Sequence, residues 1–293
     1  MKPPVFKYLR VASVEKAVSV LAEYGGEAKI LAGGQSLVPM MNFRLAQPAV
    51  LVDINPVKEL DYIRPQDGWL RIGARTRQRS LEKTPEVAQK CPLLAAAVKW
   101  IGHPQIRNRG TIGGSLVHGD PTAELALVAT LLEAELTIQG KGKSRTVGPA
   151  DFFEGVMATR IDEDEILTQV NFPVTPPRSG YGFRELCIRH GDFAIVAAAA
   201  QVTLSENGRC AAARVAVSGA GATALRIRGA EEVLVGEIGS AQVLDAAAAR
   251  VPGEVEPIGD LKGSEAYRRE MAKVFVRRAL EDAWSMAKEN GAK

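Results

Sequence analysis

Hydrophobic and polar positions change period several times along the chain, and the changes outline its elements. Val14, Ala17, Val18 and Leu21 recur at helical spacing behind Ser13, a residue type that caps helix N-termini, and Gly25-Gly26 stops the run. Residues 29–32 form a short apolar strand broken by Gly33-Gly34. A short helix is expected after Ser36, because Pro39 is tolerated only in a first turn. Residues 50–54 read as a buried strand closed by Asn55-Pro56, so the first unit reads β-α-β-α-β. From about residue 61 to 173 strands are expected at 69–74, 135–139, 145–147 and 166–172. Residues 84–101 read as mostly helical. Asp120-Pro121 reads as a helix start, with Asp as cap and Pro in the first turn, leading into the apolar run 125–132. The prolines of 173–177 suggest a linker. Beyond them come three strands, at 181–187, 195–204 and 211–218, with Asn207-Gly208 as a hairpin turn. Helices follow, the last from about 265 to 288.

Composition narrows the function classes. With 293 residues, the chain is long enough for two or three subdomains, and 46% hydrophobic with 24% charged residues is ordinary for a soluble protein. A net charge of +3 with dispersed Lys and Arg gives no support to nucleic-acid binding. Cys91, Cys187 and Cys210 are too far apart for a zinc or iron–sulfur motif or a disulfide framework, which favours a reducing compartment. The N-terminus lacks a signal-peptide core and no run is long enough to span a membrane. A cytoplasmic protein is expected, peripheral at most to the inner membrane face.

Two segments carry the chemical signal: Leu31-Ala32-Gly33-Gly34-Gln35-Ser36-Leu37 and Thr111-Ile112-Gly113-Gly114-Ser115. Paired glycines can aim successive backbone N–H groups into one concavity, and the hydroxyls of Ser36, Thr111 and Ser115 can add donors. Two facing nests would suit a pyrophosphate. Either loop alone reads better as a turn, and it is the two together with their flanking residues that carry the signal. On this reading valine at Gly33 and Gly113 abolishes cofactor retention by crowding the phosphates. A third glycine segment, Gly219-Ala220-Gly221-Ala222-Thr223-Ala224, fits the dinucleotide pattern G-x-G-x-x-A. No acid stands about 20 residues on, and Leu225-Arg226-Ile227-Arg228 does not look like the opening of a βαβ helix.

With Arg44-Leu45-Ala46-Gln47-Pro48, Leu51-Val52-Asp53-Ile54, residues 106–114, His118-Gly119-Asp120-Pro121 and Gly191-Asp192-Phe193-Ala194, the two loops stand in the order and spacing of one family. The chain resembles the FAD-binding (medium) subunit of the xanthine dehydrogenase and carbon monoxide dehydrogenase family of molybdenum hydroxylases, over essentially its whole length. The resemblance implies an α+β fold. A two-part PCMH/vanillyl-alcohol oxidase-type FAD domain is expected at 1–175, with subdomains at about 1–60 and 61–175. A small C-terminal domain at 176–293 would hold a three-stranded antiparallel sheet and a helical bundle.

The resemblance also implies roles. Residues 31–37 and 111–115 would hold the FAD pyrophosphate, with Leu37 and Ile101 touching the cofactor and His118 nearby. Glu124 stands where aspartate is usual and would face the cofactor's polar chain; read locally, it is a helix-dipole partner. Leu167 would pack near the flavin, or is simply a core leucine. Phe193 would lie beside the isoalloxazine, and Arg184 near it as a cation, or as a solvated strand arginine. His103 and His190 read as loop residues. The partners that the resemblance implies are a large molybdenum-cofactor subunit and a small [2Fe-2S] subunit, arranged as a dimer of heterotrimers, with electrons leaving to an external acceptor. No catalytic acid–base pair and no metal site is expected in this chain. No four-cysteine insertion for a [4Fe-4S] cluster is present, which argues against the 4-hydroxybenzoyl-CoA reductase branch. Two other readings stay open, a self-contained FAD oxidase or dehydrogenase of the vanillyl-alcohol oxidase group and a flavin-free interaction protein.

Overall fold

A computed structural model of the chain describes residues 1–292. The first unit is β1 (Lys7–Arg10), α1 (Val14–Tyr24), β2 (Ala28–Leu31), α2 (Leu37–Asn42) and β3 (Val50–Asp53). The Ser13 hydroxyl accepts the Lys16 N–H at 3.2 Å, and Gly25 closes α1 at φ +53°, as the local signals require. The strands pair in parallel in the order β1-β3-β2, and β3, flanked on both edges, is buried at every residue.

The second unit contains β4 (Ile63–Gln66), β5 (Trp69–Gly73) and a chain of short helices: α3 (Gln78–Lys83), α4 (Pro85–Lys90), α5 (Pro92–Ala97), α6 (Pro104–Arg107) and α7 (Ile112–His118). Then come α8 (Glu124–Leu132), β6 (Glu135–Gly140), β7 (Lys143–Val147), α9 (Pro149–Phe152), β8 (Phe153–Gly155), β9 (Ala158–Thr159) and β10 (Ile166–Pro173). Five strands form an antiparallel sheet in the order β4-β5-β10-β6-β7. The expected helix over 84–101 is divided at Cys91-Pro92, because proline supplies no N–H to continue it.

The expected helix start at Asp120-Pro121 is corrected to Glu124. Asp120 Oδ1 accepts both the N–H and the hydroxyl of Thr122, at 2.8 and 2.7 Å, which closes a turn rather than capping a helix. The Pro121 carbonyl is taken by the Gly219 N–H at 2.9 Å. Seven residues of α8 are buried, in keeping with its apolar surface on nearly every side.

The third unit is β11 (Ser179–Leu186), β12 (Val196–Leu204), β13 (Cys210–Ser218), β14 (Leu225–Arg226), α10 (Arg228–Leu234), α11 (Ala241–Ala248) and α12 (Glu265–Gly291). The sheet has four antiparallel strands, not the expected three; the short β14 pairs with Ala216 and Val217. It is formed by the segment after the G-x-G-x-x-A pattern, so no helix opens there in the dinucleotide-binding manner. Gly208 supplies the left-handed turn residue of the β12–β13 hairpin at φ +75°.

Gly180 and Gly182 rest on α12 so closely that a Cβ on either would overlap the carbonyls of Ala283 or Ala279. Residues 180, 182 and 184 therefore face α12, and residues 181, 183 and 185 face the second unit. Phe183, Ala197, Ala199 and Ala216 accordingly join one core with α8 and the five-stranded sheet. Residues 174 and 175 are tied to the second unit by N–H donation to Gly68 and Lys90. Among the described residues no helix is long and apolar enough to cross a membrane.

Candidate functional site

The first glycine loop follows edge strand β2 and the second joins α6 to α7, yet the two meet in the fold. Gly33 is buried, and a Cβ there would overlap the Arg109 carbonyl oxygen and lie 2.9 Å from the Gly110 Cα. Across the same gap, a Cβ on Gly114 would lie 3.9 Å from that of Ala32. The loops therefore pack backbone to backbone, and glycine is required for that approach. A bridge of side chains locks them. Arg77 donates to the Arg109 carbonyl and, at 2.5 Å, to Asn55 Oδ1, while Asn55 donates to the Ala32 carbonyl at 3.0 Å. Burial pushes the Arg77 pKa down, and the neighbouring charges of Arg75 and Arg109 push the same way.

The two loops differ in what they offer. In the first, Gly34 is left-handed at φ +71°. Among the described residues, the five consecutive N–H groups of Gly33, Gly34, Gln35, Ser36 and Leu37 have no acceptor within the chain. The Ser36 side chain makes no cap bond to α2 and stays available as a donor. A run of unsatisfied, half-buried donors beside a left-handed glycine is an anion nest.

In the second loop the amides are already used. Ile112 N–H donates to Thr76 O at 3.1 Å, Gly113 to Ala74 O at 2.8 Å, Gly114 to Thr111 Oγ1 at 3.1 Å and Ser115 to Thr111 O at 3.1 Å. The expectation of two facing amide nests is thus corrected to one. Thr111 caps α7, and the second loop contributes the open Cα face of Gly114 and the half-buried Ser115 hydroxyl. The reason expected for a valine effect changes too. At Gly33 a side chain would strike Arg109 and Gly110, and at Gly113 it would meet Ala74 Cβ and O at 2.7 Å, so protein rather than phosphate is in the way.

A second cluster lies where the third unit covers the second. Buried Arg107 donates to the carbonyls of Ile101 and Gly102 at 2.8 and 3.0 Å and pairs with Glu82 at 3.0 Å, fixing the turn that carries Ile101. The β11–β12 loop packs on this turn: a Cβ on Gly191 would sit 2.9 Å from the His103 ring, and Trp100 stacks against both His190 and Phe183, with ring centroids at 5.2 and 6.1 Å. Phe193, on the same loop, is 66% exposed, with Lys262 Nζ 5.6 Å from its ring centre.

Other expected residues fall into place less uniformly. His118 ends α7, and Gly119 closes that helix in the left-handed conformation. Leu167 lies inside the main core, where its side chain is enclosed. Arg184 is not brought to the loops: its guanidinium faces α12 and makes two bonds to Asp282, at 2.6 and 2.8 Å. Glu124 opens α8 beneath the third sheet, and burial, with the nearby Asp120, pushes its carboxyl up to about 7.

Three residues outside the recognised motifs belong here. Arg77 and Asn55 tie the loops together, and Glu185 takes the face of β11 opposite Arg184. Burial and then the Glu124 charge push the Glu185 carboxyl up to about 8. The Asn55-Pro56 dipeptide reads as a turn in sequence, and nothing local in the sequence marks Arg77 or Glu185.

The arrangement suits a long ligand with a diphosphate at the first loop and a ring system toward Ile101 and Phe193. The free amides and the Arg77 cation fit the diphosphate of FAD.

Comparison with known proteins agrees. Residues 4–175 match the FAD binding domain in molybdopterin dehydrogenase, and residues 181–283 match the CO dehydrogenase flavoprotein C-terminal domain. The chain is 43% identical over 288 residues to 6-hydroxypseudooxynicotine dehydrogenase complex subunit alpha of Paenarthrobacter nicotinovorans, covering 98% of this chain and 97% of that one. It is 38% identical to the carbon monoxide dehydrogenase medium chain of Hydrogenophaga pseudoflava, covering 97% and 99%. A solved structure of carbon monoxide dehydrogenase from Hydrogenophaga pseudoflava superposes with a TM-score of 0.95 at 38% identity, covering 98% of this chain and 99% of that chain. Quinoline 2-oxidoreductase from Pseudomonas putida 86 superposes with a TM-score of 0.94 at 35% identity, covering 98% and 99%. The chain belongs to the FAD-binding flavoprotein family of the molybdopterin dehydrogenases, a family of oxidoreductase subunits.

Proposed function

We propose that this chain holds FAD as the electron-relay subunit of a molybdenum hydroxylase. The observation that carries the reading is the row of free amides at residues 33–37, locked by Arg77 and Asn55 against the second glycine loop. Residues 33–37 and the Ser36 hydroxyl would hold the diphosphate. Gly114 would let it approach, and Ser115 would add a donor. Ile101 and Phe193 would flank the ring end, and Glu124 would face the polar chain between the two ends. When bound, FAD supplies exchange of electrons between one-electron clusters and an acceptor. The chain's own residues fix its position, keep its diphosphate dry and leave its ring end approachable at exposed Phe193.

A small subunit with [2Fe-2S] clusters would deliver the electrons, and a large molybdenum-cofactor subunit would oxidise the substrate. The reading includes a dimer of such heterotrimers in the cytoplasm and an external acceptor that takes the electrons. Exposed Val38, Phe43 and Leu45 beside the first loop support a face that a partner covers. Three free cysteines support a reducing compartment. Arg184 has no part in this assignment, since Asp282 already holds it.

The test is the purified full chain, alone and with its partner subunits. It should carry about one FAD per chain with flavin absorption near ~450 nm, which bleaches when substrate is given to the complex but not to the isolated chain. A colourless chain that takes up no added FAD sinks the reading. Substrate-dependent bleaching of the isolated chain would favour a self-contained oxidase instead.

A further inference from the structure

Glu185 is 7% exposed, yet no nitrogen or oxygen donor bonds either carboxylate oxygen and only the weakly donating Cys187 thiol lies near it; Ser218 is 0% exposed and its hydroxyl is unpartnered. Buried polar groups left unmatched cost stability, so a pair of them in one place points to a missing ligand.

The register places them together. Glu185 pairs with Ala197, and Ala197 pairs with Ser218, so the three form one row across β11, β12 and β13. Cross-strand partners share a face. For this row it is the face turned toward the second unit, the one on which Phe183 and Ala199 join the main core. Ala197 leaves the centre of the row low. The Glu124 charge acts on Glu185 across the seam, and the Gly219–Pro121 hydrogen bond stitches the end of β13 to the turn before α8. The same end of the sheet leads into the loop of Phe193, which packs over the Ile101 turn.

We propose that Glu185 and Ser218, facing Glu124 across this seam, form a polar recess that binds the hydroxylated ribityl chain of the cofactor. This rests on the FAD reading above. A chain of neighbouring hydroxyls donates and accepts in turn, and two close carboxyls with one serine hydroxyl offer both kinds of partner. The recess adds a second contribution from the third unit, beside that of Phe193, to a site built mainly by the first two.

The experiment uses the full chain stripped of flavin and titrated separately with FAD and with ADP. ADP carries the diphosphate but no ribityl chain. Glu185→Leu should weaken FAD binding by about tenfold or more and Ser218→Ala by a few fold, with ADP binding unchanged in both. Glu185→Gln, which keeps the shape and one acceptor, should fall between wild type and Glu185→Leu. The recess is refuted if FAD affinity is unaltered in Glu185→Leu, or if FAD and ADP weaken equally, the mark of a general structural lesion. Wild-type chain that binds neither ligand removes the FAD reading itself, and the recess with it.

Discussion

Gly33→Ala separates two explanations of the first glycine loop. The added Cβ would overlap the Arg109 carbonyl oxygen and lie 2.9 Å from the Gly110 Cα and 3.0 Å from the Arg109 carbonyl carbon. All three are backbone atoms, so no flexible side-chain end can turn away. Restoring ordinary carbon–oxygen separation requires the loops to part by about 1 Å, and overpacking of this kind costs about 1–3 kcal/mol. For a chain of this size each kcal/mol lowers Tm by about 2–4 °C. Flavin-free Gly33→Ala should therefore melt roughly 3–10 °C below wild type. Parting the loops also stretches the Arg77–Asn55–Ala32 bridge and tilts the free amides, which should weaken FAD binding by about tenfold to a hundredfold. The assay is thermal melting of the flavin-free chain beside a fluorescence titration with FAD. If affinity drops while the flavin-free Tm stays at the wild-type value, the Cβ meets ligand rather than protein and the loop packing described above is wrong.

Other variants probe the remaining parts. Burial raises the Glu124 and Glu185 carboxyls from the ordinary glutamate range to about 7 and about 8, so the folded chain holds protons there that the unfolded chain has released. Their contribution to stability is full below about pH 4.5 and is lost as pH rises through 7 to 8. Glu185→Gln removes one of these carboxyls. It should stabilise the flavin-free chain by on the order of 2–4 kcal/mol at pH 8 and hardly at all at pH 5; parallel melting curves for the two proteins across that range would refute the coupling. Arg77→Ala unlinks Asn55 from Arg109 and removes a cation that bridges the two loops, so FAD affinity should fall about tenfold, measured by the same titration. Arg107→Met leaves the Ile101 and Gly102 carbonyls and Glu82 without their donor in a buried setting and should cost about 3–5 kcal/mol in urea unfolding; a loss under 1 kcal/mol would mean that solvent reaches Glu82.

What the sequence makes legible follows the range of the interaction responsible. Ser13 and Gly25 bound α1 through contacts within one turn, and Gly208 makes the hairpin through its own φ, so each is readable from a few neighbours. The misplaced start of α8 has the opposite origin. Asp120 is a good cap by type, but its carboxylate goes to Thr122, and the Pro121 carbonyl is claimed by Gly219 from the third unit. The face of β11 that holds Glu185 is equally invisible, because alternation alone does not say which side meets α12. Gly180 and Gly182 decide that only once the helix lies against them. Arg77 and Asn55 belong to no spacing pattern, since they join loops 77 residues apart only in the folded chain.

The deepest difference between sequence and structure lies in the two loops that look alike. Both read as Gly-Gly beside a serine, and that symmetry suggests two equivalent grips. The structure breaks it through hydrogen-bond accounting. The amides of Ile112, Gly113, Gly114 and Ser115 are spent on Thr76, Ala74 and Thr111, so the second loop is complete without any ligand and serves as a fixed wall. Those of residues 33–37 are spent on nothing within the chain, so the first loop is finished only by what it binds. Free half-buried donors carry a penalty that a diphosphate removes, so cofactor binding and the order of the first unit are linked. Changes in the second loop should accordingly act first on folding, through its packing on Ala74. Changes in the first loop act on folding through Gly33, which packs on Arg109, and Gly34, which is left-handed, and otherwise on how tightly the cofactor is held.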